Sequence, residues 1–216
     1  MDRKLNEFAV FIRYNKAVSV IHKIEAAKSF LPFESVVSSR NPFGLATSFK
    51  GGVTYFNNSL RVVSSGGDFY VPSEQVQNQE AAHMYKIMMS RATAEHAGEP
   101  DKDGKFKVIS RSEILPPEVV CTDSYVILGA SVNKVETENC FTYLKTRFLR
   151  FLVLQSLSSI NLTKEKFQFV PLQDFTPQSD IDWSGSVESI DCQLYDKYGL
   201  TAGERDFIEA TIRPMA

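Results

Sequence analysis

A chain of 216 residues with 43% apolar side chains can bury a core in one generous domain or two small ones, which excludes a disordered tail. Charged residues make up 23% and balance to a net charge of −2, so a polycationic histone-like protein is excluded and nucleic-acid affinity has to come from local patches. Cys121, Cys140 and Cys192 stand far apart, without a Cys-x-x-Cys pair or a neighbouring histidine, the pattern of a reduced, metal-free cytoplasmic protein.

Residues 1–11 alternate charged and apolar side chains and lack the continuous apolar run of a secretion signal, and no stretch approaches membrane-spanning length. Over 15–28, Ala17, Val20, Ile21 and Ile24 recur at helical spacing, which predicts a first helix with Asn15 as N-cap and Pro32 as its stop. From 33 to 71 the text turns to β-branched and aromatic clusters, broken at Pro42-Phe43-Gly44, Gly51-Gly52, Asn57-Asn58 and Gly66-Gly67. That alternation predicts strands and turns. Short strands are expected at 85–89, 106–109 and 124–128, with the polar run from His96 to Gly104 as an exposed loop.

The stretch 136–157 contains no Gly or Pro and is rich in helix formers, so it predicts the longest helix. On a helical wheel Phe141, Leu144, Phe148, Phe151 and Leu152 share one face, while Tyr143, Arg147 and Arg150 line a flank expected to face water or phosphate. Ser186 is expected to cap a helix through Ile190, Leu194 and Tyr195, closed by Gly199. Thr201-Ala202-Gly203-Glu204 fits a capping box ahead of a last helix through Phe207, Ile208 and Ile212 that stops at Pro214.

Catalytic patterns are missing. The sequence has no phosphate-cradling glycine loop and no nucleophile elbow, and His22, His83 and His96 are too scattered to supply a triad base. Asp101-Lys102-Asp103-Gly104-Lys105 begins like a calcium loop but lacks the later ligands, so a turn is expected there. Asn41-Pro42-Phe43-Gly44 approaches the Asn/Asp-Pro-Pro-aromatic motif of amino-methyltransferases but lacks the second proline and reads as a turn. What the presumed loops do hold is Ser38, Ser39, Arg40, Thr47, Lys50, Ser64, Ser65, Arg91 and Thr122. Guanidinium forks and hydroxyls of this kind suit phosphates and base edges, although a solvated loop surface has the same composition.

Four segments in order resemble a known family: Val37-Ser38-Ser39-Arg40-Asn41-Pro42-Phe43-Gly44-Leu45; Cys121-Thr122-Asp123-Ser124-Tyr125; Tyr143-Leu144-Lys145-Thr146-Arg147-Phe148-Leu149-Arg150-Phe151-Leu152; and Phe169-Val170-Pro171-Leu172-Gln173-Asp174-Phe175. The tail from Leu194-Tyr195-Asp196-Lys197-Tyr198-Gly199 to Ile212-Arg213-Pro214-Met215 adds a fifth. Together they resemble the C-terminal target-recognition region of adenine-specific DNA methyltransferases in restriction-modification systems, with its TaqI-like specificity domain. A looser parallel links the order of strand-rich unit, helix and Pro-Leu segment to Type I specificity subunits.

The resemblance implies that a Rossmann-like domain upstream binds S-adenosylmethionine and carries the catalytic motif, while this chain, as a fragment or a free-standing subunit, clamps double-stranded DNA. The chain alone is then expected to have no catalytic residue, metal or cofactor, and to work with a methyltransferase catalytic domain in cis or in trans. The DNA contacts expected are Ser38, Ser39, Arg40, Thr47, Lys50, Arg91, Thr122, Arg147 and Arg150. The alternative is a protein-interaction module that docks a methyltransferase or nuclease subunit. The expected fold is α+β: a target-recognition domain over 1–178, with an N-terminal helix, a twisted mostly antiparallel sheet with long loops and the long packed helix 136–157, then a two-helix extension over 179–216.

Overall fold

Helix α1 (Ala17–Glu25) turns its four predicted apolar positions, Ala17, Val20, Ile21 and Ile24, fully inward. Its N-cap is Lys16, without a side-chain cap bond, and not Asn15. A computed structural model describes residues 8–95 and 99–215 of the chain. The reading of 1–11 therefore lies partly outside the described residues, as does His96.

The chain divides into two compact units that are both discontinuous in sequence: unit 1 takes Met1–Ser35, Ala92–Ser110 and Thr142–Ala216, and unit 2 takes Val36–Arg91 and Arg111–Phe141. The division does not fall at 178. The C-terminal helices share a unit with α1 and are not an appended extension.

Unit 2 holds the strands. β1 (Ser59–Ser64) and β2 (Gly67–Pro72) form an antiparallel hairpin around the Ser65-Gly66 turn, and β5 (Val119–Cys121) joins β1 in parallel. The second sheet is antiparallel, with β3 (Tyr85–Ser90) between β4 (Ser112–Leu115) and β6 (Tyr125–Ser131). The predicted single sheet is thus two three-stranded ones, within the expected α+β class. Their buried faces share one apolar cluster that includes Phe43, Leu60, Val62, Met88, Val120 and Ile127. Lys86 also lies in the interior, its ammonium donating to the carbonyls of Ala82, Met84 and Pro116 at 2.9–3.3 Å. Burial pushes its pKa down to about 8. A short helix, α2 (Gln79–Ala82), precedes β3. The strand expected over 106–109 reduces to isolated bridges, Phe106 with Ile212 and Ile109 with Thr93.

The long helix is two helices. α3 (Lys134–Lys145) carries the chain from unit 2 into unit 1 and stops, because Thr146 takes an extended conformation (ψ 147°) and caps α4 (Arg147–Ser156) by accepting the Leu149 amide. Asp191 supports the restart by accepting the amides of Arg147 and Phe148 at 3.0 and 2.9 Å. α4 packs on α5 (Val187–Lys197) and α6 (Ala202–Thr211) within unit 1. The caps are as predicted: Ser186 accepts the Ser189 amide, Gly199 is left-handed at φ 60°, and Thr201 with Glu204 forms the reciprocal box.

Candidate functional site

The segment after α1 in unit 2 is stitched along β6 and the turn before it. Ser38 donates its amide to the Ile127 carbonyl at 2.8 Å and accepts the Ile127 amide on its hydroxyl at 3.0 Å. Asn41 then adopts φ 55°, and its carbonyl accepts the Gly44 amide, so Asn41-Pro42-Phe43-Gly44 is the predicted turn. Phe43 is driven fully into the core, where it cannot serve as a stacking aromatic. Leu45 accepts the amide of Asp123, which ties the segment to the β5–β6 turn.

Asp123 is the centre of this arrangement. Its carboxylate is 11% exposed and faces two arginines from distant parts of the chain. Arg40 donates Nε to both carboxylate oxygens at 3.2 and 3.0 Å and Nη2 to Oδ2 at 2.8 Å. Arg91, just after β3, donates Nη1 to the Asp123 carbonyl at 2.8 Å and to Oδ1 at 3.0 Å, while its amide bonds to the Ser124 carbonyl. The Arg40 hydrogen bonds hold the Asp123 carboxyl below its ordinary range against the opposing effect of burial, with help from the Arg91 charge and the Asn41 amide. Thr47 and Ser124 meet beside it, hydroxyl to hydroxyl at 3.4 Å. The two arginines and one carboxylate leave one net positive charge on a patch of donors.

Ser39, Lys50 and Thr47 are exposed on the same connection, 36–58. Beyond Lys50, Gly52 pairs both ways with Tyr70 of β2 (2.9 and 2.8 Å), and a Cβ on Gly51 would meet the Tyr70 carbonyl oxygen at 2.2 Å. Glycine is required at 51 for this approach. The loop that follows exposes Val53 and Tyr55, the latter edge-on to Tyr70 at 5.9 Å. Neither double glycine opens a helix: Gly52 bridges to Tyr70, Gly66 completes the β1–β2 turn and Gly67 begins β2. The geometry of a cofactor-binding glycine turn is not met at either place.

Three expected contacts do not reach a surface in the expected way. Thr122 is fully buried, and its hydroxyl has no hydrogen-bond partner among the described residues. Arg150 is fully buried: it donates to the carbonyls of Lys145, Thr146, Lys107 and Arg213 at 2.7–3.2 Å, and burial lowers its pKa to about 10. Arg147 is half-buried with a buried Nε, and Tyr143 is wholly inside, bonded to the Pro171 carbonyl. The flank fails because the wheel assumed a continuous helix. The break at Thr146 changes which face turns inward, and α4 is buried from Phe148 to Ser156. Ser38 lies on the surface side but spends its hydroxyl on Ile127.

Asp123 escaped the sequence reading as a functional residue, although it stands in the second resemblance segment. No local pattern pointed to it, because its partners Arg40 and Arg91 lie 83 and 32 residues away in sequence. Among the described residues no group of three or more His, Cys, Asp or Glu is placed to hold a metal, the three cysteines are free, and no helix is long and apolar enough to cross a membrane. No protein-family model, no curated protein and no solved structure matches the chain.

Proposed function

We propose that the chain is a DNA-recognition module, the specificity part of an adenine-N6 DNA methyltransferase of the restriction-modification type, working in the cytoplasm. The observation that carries this reading is the convergence of Arg40, Arg91, Thr47 and Ser124 around Asp123, drawn from three separate stretches of the sequence. Such a patch offers forks and hydroxyls, the groups that contact phosphates and base edges. The ordered resemblance segments supply the enzyme class. S-adenosylmethionine and the flipped adenine then belong to a catalytic domain in cis or in trans, and this chain orients the duplex for it. Exposed Val53 and Tyr55 favour a second reading, in which the loop docks a methyltransferase or nuclease subunit.

Titration of the purified chain with fluorescent duplex DNA at several salt concentrations separates the two. DNA recognition predicts affinity that falls steeply with salt, with the slope reduced by about one per phosphate contact removed. Arg40→Ala combined with Lys50→Ala should weaken binding. Affinity that is absent, or that ignores both salt and the double substitution, would remove the DNA reading.

A further inference from the structure

Arg40 is held by one edge only. A guanidinium carries five N–H groups in one plane, and Asp123 takes those of Nε and one from Nη2. The remaining Nη2 hydrogen and those of Nη1 form the end edge of the fork, where two N–H groups run parallel. Nothing in the described residues bonds to Nη1, and the Arg40 side chain is 72% exposed while its partner is 11% exposed. The base of the fork is also fixed. Asp123 is anchored through its amide to Leu45 and through its carbonyl and Oδ1 to Arg91.

Two parallel donors on a fixed mount fit two acceptors side by side, and in duplex DNA these are O6 and N7 of guanine in the major groove or two oxygens of a phosphate. The paired carboxylate decides between them. A phosphate contact draws on net charge, which Asp123 offsets only in part because it pairs with both arginines; a base contact draws on orientation, which Asp123 supplies in full. Resting on the DNA-recognition reading above, we propose that Arg40 reads a guanine through its Nη1–Nη2 edge, with Asp123 and Arg91 as positioning residues that set the plane of the fork.

The test is selection of a randomised duplex library on the purified full chain, with sequencing of the retained DNA, for wild type, Arg40→Ala and Asp123→Asn. Wild type should enrich a motif containing a fixed guanine. Arg40→Ala should lose the preference at that one position by on the order of ten- to a hundredfold, with the other positions intact. Asp123→Asn should weaken the same position by a smaller factor, a position-specific effect that loss of fold does not produce. Arg40 is exposed, so its variant decides the matter even where Asp123→Asn is unstable. A motif left intact with affinity reduced evenly over all sequences would make Arg40 a phosphate contact and overturn the proposal, as would loss at a position that is not guanine. A wild-type chain that enriches no motif would bring down the recognition reading itself.

Discussion

Glu204 ties α6 to α1 inside unit 1, and its replacement by Gln gives a stability change whose size and pH dependence both follow from the structure. The carboxylate is 12% exposed, yet it accepts Lys23 Nζ at 2.6 Å, the Ser19 hydroxyl at 2.8 Å, the Thr201 amide at 2.7 Å and the Thr201 hydroxyl at 3.0 Å. Burial alone raises its pKa, and the hydrogen bonds, Lys23 foremost, outweigh that and bring it from 4.5 to about 2. At about 1.36 kcal/mol per pH unit the drop is worth about 3.4 kcal/mol, and solvent screening at the Lys23 end, 33% exposed, leaves about 2 kcal/mol. Because the folded pKa lies below the unfolded one, this stability is present above pH 4.5 and is lost as pH falls through about 2. Urea unfolding followed by circular dichroism, run from pH 7 to pH 2 on wild type and Glu204→Gln, should show a gap of about 2 kcal/mol that closes between pH 4.5 and 2. A gap that stays constant down to pH 2 would refute the electrostatic account, and a gap near zero at pH 7 would refute the geometry.

Arg150→Ala should cost about 3–5 kcal/mol in the same urea assay, because it strips buried carbonyls of a charged donor, and the folded variant should keep the wild-type salt slope for DNA. A changed slope with unchanged stability would restore Arg150 as a phosphate contact. Lys86→Met should erase one limb of the pH–stability curve. The folded pKa near 8 lies below the ordinary 10.5, so wild type gains stability as pH rises from about 8 to 10.5 and the variant does not. Parallel curves across that range would show that Lys86 titrates as an exposed lysine.

The features legible in the sequence were those fixed by neighbours along the chain. Ser186, Gly199 and the Thr201–Glu204 box act over three or four residues, and the apolar spacing of α1 depends only on helical period. Strands β4 and β5 went unread. β5 is three residues long and exists because β1 lies beside it in parallel, a partner more than fifty residues away in sequence. The break at Thr146 lacked the Gly or Pro that marks a stop, and one of its causes, Asp191, lies in α5. Arg150 looked like a surface residue by type; only the carbonyls of 107, 145, 146 and 213 make its burial tolerable. Within the candidate site, the donors Arg40 and Arg91 were visible as donors, but the carboxylate that organises them required the turn after β5 to close on residues 40–45.

The interleaving of the two units has a consequence for how the chain is made. Unit 1 cannot close until its last third is in place: the Tyr14 amide bonds to the Gln155 side chain, 141 residues later, and Lys23 waits for Glu204. Loop closure over such spans is entropically slow, so during synthesis α1 must stand without its partners while unit 2 can already assemble from residues 36–141. Transplanting unit 2 into another host therefore means moving 36–91 and 111–141 as a matched pair of inserts, since a cut at any single point leaves a torn core on both sides.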